Sequence, residues 1–148
     1  MLFIVTKSET IFNFRIDLIS DIIKNGFDVY IAADDSVNQK RIEQIIGKKR
    51  FYNLEGNNRS INPFKIFSYR NKIAKIIELV KPDVVFTFQL KPNLFGPLCA
   101  KKAKTKYIFS MIEGVGDVFI KQEIKYKIIK QYVKFGYRKS LAAANKVF

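Results

Sequence analysis

Short apolar runs alternate with helical patterns along this whole chain, and that alternation restricts it to very few folds. The runs LFIVT (2–6), FDVYIAA (27–33), DVVFTF (83–88) and KYIFS (106–110) read as strands, and the first is apolar without a break, as burial on both faces requires. FYNL (51–54) is a weaker third strand, and KVF (146–148) looks like the opening of a further one. Helical spacing fills the gaps between them. Strands joined by helices pair in parallel through right-handed crossovers. The expected fold class is α/β, a parallel sheet with helices on both faces, in one domain of 148 residues.

The expected helices follow from spacing and end signals. Residues 13–25 carry Phe14, Leu18, Ile22 and Ile19, Ile23 on neighbouring stripes, and Gly26 stops them. Asp34-Asp35-Ser36 leads into a short helix, with Ser36 and Gln39 as a capping box. Pro63 opens the next helix, which turns Phe67, Ile73, Ile76, Ile77 and Val80 inward and ends at Pro82. Residues 92–103 form another. Residues 123–144 form a long basic helix with Ile124, Ile128, Tyr132 and Phe135 on its apolar stripe. The chain stops as a strand begins, so more protein is expected beyond Phe148.

Composition excludes several chemistries. The chain has no histidine, which removes a Ser-His-Asp triad, a His-rich metal site and a metalloprotease motif. Cys99 is the single cysteine, so neither an internal disulfide nor a multi-cysteine zinc site can form. No apolar run is long enough to span a membrane, and Met1 leads into LFIV without the features of a signal peptide. The net charge of +14 implies an anionic partner: nucleic acid, phosphorylated substrate or acidic membrane surface.

The loops after the strands carry the candidate site, because ligands of open parallel sheets bind at the strands' carboxyl ends. The loop after the first strand, TKSETIFNFR, holds Lys7, Ser8, Asn13 and Arg15 but no glycine. A dinucleotide or a P-loop phosphate needs glycine there, so NAD, FAD and P-loop nucleotides are unexpected. The loop either faces a hydroxylated ligand or is a solvated turn with Asn13 capping the helix. Asp34 and Asp35 read as helix caps rather than ribose ligands. Gln89, Lys91 and Asn93 flank a helix start, a place suited to an anion or a sugar hydroxyl, although Lys91 also fits a plain surface lysine. After the fifth strand, Gly114 and Gly116 suggest a loop whose backbone approaches a ligand, with Glu113 and Asp117 as its carboxylates; an ordinary turn with solvated acids fits equally. Lysines of the last helix, including Lys125, Lys130 and Lys134, are expected to be solvated, with attraction to an anionic membrane as an added effect.

The segments FNFRIDLISDIIKNGFDVYIAA, RSINPFK, KPDVVFTFQLKPNLFG and IEGVGDVF, in this order, resemble the N-terminal domain of the retaining, family-four glycosyltransferases of GT-B architecture that build bacterial capsular, O-antigen and lipid-linked glycans. The resemblance covers nearly the whole chain. It implies a Rossmann-like domain that holds the acceptor, with the nucleotide-sugar donor held mainly by a second, C-terminal domain that this chain lacks. These residues alone would then be inactive. Many relatives place histidines where Phe86 and Phe88 stand here, and some place one near residues 111–113, where Glu113 is the nearest polar candidate for a catalytic role. In the mechanism the family is thought to use, the leaving phosphate helps deprotonate the acceptor, so no protein nucleophile is required. The resemblance further implies a polyprenyl-diphosphate-linked acceptor met by Lys7, Arg15 and Lys91, no metal or other cofactor, no specific nucleic acid, and a cytoplasmic location against the inner face of the membrane. Two other readings stay open: a non-catalytic acceptor-binding subunit that works with a separate donor-domain chain, and a basic nucleic-acid-binding domain.

Overall fold

Six strands form one parallel sheet in the order β3-β2-β1-β4-β5-β6, with β1 at Leu2–Val5, β2 at Tyr30–Ala33, β3 at Phe51–Asn53, β4 at Val84–Phe88, β5 at Tyr107–Met111 and β6 at Lys146–Val147. This computed structural model describes residues 1–56, 63–114 and 124–148. The helices among them are α1 (Glu9–Phe14), α2 (Ile16–Lys24), α3 (Gln39–Ile46), α4 (Pro63–Val80), α5 (Leu90–Lys102) and α6 (Ile124–Leu141). The chain first steps outward from β1 to β2 and β3, then returns to place β4 on the other side of β1. The order therefore reverses between β1 and β4, which opens a crevice at their carboxyl ends.

The sheet has an apolar layer on each face, as the continuous strands require. On β1, Leu2 and Ile4 point one way and Phe3 and Val5 the other, all fully buried. The first layer joins Leu2, Ile4 and Val85 to Ile73 and Ile77 of α4 and Ala100 of α5. The second joins Phe3, Phe86 and Phe88 to Ile11 of α1, Ile19 of α2 and Ile42 of α3. The Phe3 and Phe88 rings stack with centroids 5.8 Å apart.

Helix α5 lies close against β4 for a reason written in its sequence. A Cβ on Gly96 would stand 2.5 Å from the Thr87 methyl, well inside carbon contact distance. Pro97 follows and has no N–H to offer the carbonyl of Asn93, four residues back. Ser140 of α6 supplies the missing donor, its hydroxyl reaching Asn93 O at 2.7 Å. The KPN-x-x-G pattern is thus at least partly a packing pattern.

Several expectations on helices and strands are corrected. The helix expected over 13–25 is two helices that break at Arg15, whose backbone leaves helical geometry (φ −137°, ψ −2°) as its side chain turns into the protein. Asn13 therefore caps nothing; it lies exposed within α1. The second strand starts at Tyr30 rather than Phe27, which is exposed. The Ser36–Gln39 capping box does not form: Asn38 precedes α3 without a side-chain cap, and the Gln39 amide donates to Glu43. Phe67 of α4 faces outward, because Tyr69, Ile73, Ile76 and Ile77 form the stripe that meets the sheet. On α6 the inward residues are Val133 and Ser140, which leaves Tyr132 and Phe135 exposed. Ile124 and Ile128 have side chains outside the described set.

Candidate functional site

Two clusters stand on the carboxyl edge of the sheet, and each draws residues from both sides of the β1–β4 crevice. Between them, Gln89 closes the crevice: its Oε1 accepts the Thr6 N–H at 2.8 Å, tying the loop after β4 to the loop after β1. Gln89 holds φ 71° and ψ 174°, a conformation that belongs almost entirely to glycine. Strain of this kind is kept where the surrounding structure fixes it. Here it aims the side chain across the crevice and starts α5 two residues earlier than the sequence suggested.

The first cluster is built on Arg15. The break between α1 and α2 lets its side chain pass inward, where only 4% remains exposed. Its guanidinium lies over the Phe88 ring, 4.0 Å from the centroid. Nη1 donates to Thr10 O at 3.0 Å, and Nη2 pairs with the Glu113 carboxylate. Burial pulls the guanidinium pKa down from its ordinary value, yet an arginine keeps its charge in such a place. Glu113 follows β5 and keeps about 30% of its side chain exposed, so one end of the carboxylate meets arginine and the other can meet a ligand. A carboxylate held this way is better suited to accept a hydroxyl's hydrogen bond than to take its proton.

The second cluster joins Asp34, Tyr69 and Lys91. Asp34 does not cap a helix. It follows β2 and is sealed in, because the Gly56 N–H donates to Asp34 O at 3.1 Å and brings the Gly56 backbone over the carboxylate. A Cβ on Gly56 would overlap that carboxylate. Among the described residues, neither Asp34 oxygen has a hydrogen bond of good geometry, nor has the Tyr69 hydroxyl that faces it. Burial raises the Asp34 pKa to about 6, against smaller opposing effects of Tyr69 and Lys91. The folded state thus holds this proton more tightly than the unfolded chain, so Asp34's contribution to stability falls as pH rises from 3.8 to about 6. Lys91 is half-buried with Nζ 5.6 Å from the Tyr69 centroid, and burial lowers its pKa.

The remaining candidates have varied placements. Ser8 is fully buried and committed: its N–H donates to Asp35 at 3.0 Å, its hydroxyl bonds the same carboxylate, and the Asn38 amide donates to it at 3.2 Å. Asp35 therefore pins the loop after β1 to that after β2. Lys7 is solvated, with a loose partner in Glu9 at 3.7 Å. Asn93 is fully buried. Its Oδ1 accepts from Thr87 at 2.6 Å and its Nδ2 donates to Met111 O at 2.8 Å, so it staples α5 to β4 and β5 rather than facing a ligand. Gly114 is exposed beside Glu113. Gly116, Asp117 and the side chain of Lys125 lie outside the described residues, as does most of RSINPFK. Lys130 and Lys134 lie on α6, half-buried and exposed respectively.

Sequence reasoning did not single out Tyr69, Thr87, Ser110 or Ser140. Thr87 and Ser110 share a hydrogen bond of 2.9 Å and are fully buried. A lone threonine within the apolar run VVFTF was the available signal for this buried polar chain.

Comparison with known proteins agrees on the fold that carries this edge. MurG of Acinetobacter baumannii superposes with a TM-score of 0.55 at 15% identity, over 75% of this chain and 33% of that one. UDP-N-acetylglucosamine 2-epimerase of Rickettsia bellii superposes with a TM-score of 0.56 at 16% identity, over 90% and 36%. At such identities the likeness is one of fold. In sequence, N,N'-diacetylbacillosaminyl-diphospho-undecaprenol alpha-1,3-N-acetylgalactosaminyltransferase of Campylobacter jejuni is 25% identical over 143 residues. That match takes in 97% of this chain and 38% of the relative's length. A family model described as glycosyl transferase 4-like matches residues 1–146, nearly every strand and helix described above, and the chain belongs to that glycosyl transferase 4-like family.

Proposed function

We propose that this chain is the acceptor-binding domain of a retaining glycosyltransferase that moves a sugar from a nucleotide-sugar, a UDP-sugar in this reading, to a lipid-linked glycan. The observation that carries this is the family match across residues 1–146, joined to a sheet edge where Arg15–Glu113 and Asp34–Lys91 each bring together residues from the two sides of the β1–β4 crevice. The Campylobacter relative's name supplies the acceptor class, a sugar on diphospho-undecaprenol. In this reading Glu113 orients the acceptor hydroxyl, Gly114, Gly116 and Asp117 also contact the acceptor, and the departing phosphate of the donor takes the proton. Lys7 and Lys91 supply positive charge toward the acceptor's diphosphate. A second domain holds the donor, and no resident metal is required.

The outer face of α6 supports a membrane-bound acceptor. Tyr132 and Phe135 are exposed there beside Lys134, Arg138 and Lys139, and Leu98 of α5 extends the apolar surface. Rings among lysines suit an anionic bilayer surface, at about 1 kcal/mol per well-placed basic residue. No helix among the described residues is long and apolar enough to cross a membrane. In this reading the protein sits on the inner face of the cytoplasmic membrane.

One assay tests both points. The protein of the complete reading frame is given UDP-sugars and a lipid-diphosphate acceptor in anionic vesicles, beside a Lys130→Glu/Lys134→Glu variant. The reading expects transfer by the wild type, and a rate several-fold lower for the variant on vesicles but unchanged on a detergent-dispersed acceptor. Absence of transfer from every donor would contradict the glycosyltransferase reading, and an unchanged rate on vesicles would contradict the membrane face.

A further inference from the structure

The placement of Arg15 is demanding. A helix breaks to turn it inward, and only 4% of the side chain stays exposed. Its Nε is buried without a hydrogen-bond partner among the described residues, a penalty that a surface arginine escapes. Both terminal nitrogens are engaged within the protein: Nη1 donates to Thr10 O at 3.0 Å and Nη2 pairs with Oε1 of Glu113, while the guanidinium rests on the Phe88 ring. The backbone is held as well, the Arg15 N–H by Ile11 O and the Arg15 carbonyl by the Ile19 N–H, each at 2.9 Å. Enclosed in this way, Arg15 is badly placed to touch an acceptor's diphosphate, the contact that the resemblance implied for it. Glu113 differs, with about 30% of its side chain exposed. The Met111 carbonyl before it is held by Asn93 and the Ile112 N–H by Phe148 O, so the direction of the Glu113 side chain is the freedom that remains.

We propose that Arg15 is a positioning residue: through its ion pair at Oε1 it fixes the Glu113 carboxylate so that Oε2 meets the acceptor hydroxyl. The inference rests on the reading that Glu113 orients that hydroxyl, and it assigns what orients Glu113. A half-open glutamate alone samples several rotamers. A guanidinium is a rigid planar fork, and this one is locked between Phe88 and Thr10, so it selects one of them.

The complete protein is assayed for transfer as wild type, Arg15→Gln, Arg15→Leu, Arg15→Lys, Glu113→Gln and Arg15→Gln/Glu113→Gln, with kcat and the KM of each substrate read separately. Arg15→Gln and Arg15→Leu are expected to lower kcat about 10- to 100-fold, as a misplacement of about 1 Å does, with the donor KM unchanged. Leucine packs on Phe88, so a glutamine variant that folds poorly does not remove the test. Arg15→Lys keeps the charge but not the fork and should recover kcat to within about tenfold of wild type. Glu113→Gln keeps an oxygen for the hydroxyl and should transfer slowly. In that background Arg15→Gln should change kcat less than about twofold, because the two residues act as a unit. If Glu113→Gln is silent, Arg15→Lys against Arg15→Leu decides. Wild-type kcat in Arg15→Gln and Arg15→Leu, no recovery by Arg15→Lys, or an undiminished loss in the Glu113→Gln background would each overturn the proposal. Transfer by the wild type together with any of these removes this inference alone. A wild type that transfers from no donor removes the glycosyltransferase reading and this inference with it.

Discussion

Glu113→Ala is expected to lower the unfolding free energy by about 2–3 kcal/mol and to abolish transfer by the complete protein. The substitution removes the only carboxylate paired with Arg15 among the described residues and leaves a guanidinium that is 4% exposed without its counter-charge. Removing one partner of a buried pair costs about 3–5 kcal/mol when both are fully enclosed, and the partly open side of Glu113 reduces that here. The double variant Arg15→Leu/Glu113→Ala separates the two effects. Leucine packs on Phe88 in place of the guanidinium, and replacing a whole pair with apolar groups is often close to neutral. Denaturant unfolding should therefore show the double variant regaining most of the lost stability, while transfer stays absent. A double variant as unstable as Glu113→Ala would mean that Arg15 holds the α1–α2 break through Thr10 and Phe88 rather than through its charge.

Asn93→Ala is the second large effect, expected at about 3 kcal/mol of lost stability. The side chain joins three elements: Oδ1 takes the Thr87 hydroxyl at 2.6 Å in the interior, and Nδ2 gives to Met111 O at 2.8 Å in a partly buried bond. Alanine leaves Met111 O without this donor, takes one partner from Thr87 and opens a small void, which together cost about 2–4 kcal/mol. Asn93→Asp should be nearly as damaging, since it keeps the acceptor for Thr87 but turns a carboxylate oxygen toward Met111 O. Because Met111 precedes the turn that carries Glu113, surviving protein should also transfer slowly with a nearly unchanged donor KM. Thermal unfolding of the two variants against wild type checks the first part, and steady-state kinetics the second. Variants as stable as wild type would show that the staple is dispensable.

The sheet was legible because burial on both faces writes a continuous apolar run, and LFIV and VVFTF have few other uses. The absence of glycine after β1 turns attention from a pyrophosphate loop to side chains. What escaped was the direction in which side chains point. Arg15 reads as a loop residue that faces a ligand, yet the break between α1 and α2 sends it onto Phe88, a contact between residues 73 positions apart. Phe135 reads as core, yet Gly136 lets α6 press closely on Leu94 of α5 and turns the phenylalanine outward. Asn93 reads as a polar residue at a helix start on the crest. Its burial follows from Pro97, Gly96 and Ser140 acting together, and no local window contains all three.

The central claim is that the carboxyl edge of this sheet holds the acceptor. Hydrogen exchange measured by mass spectrometry on the complete protein, with and without a short-chain polyprenyl-diphosphate sugar, tests it most directly. The account predicts slowed exchange in peptides covering residues 6–15, 88–93 and 111–114, and little change along α2 and α3. Active protein whose protection lies elsewhere, with these three segments unaltered, would contradict it.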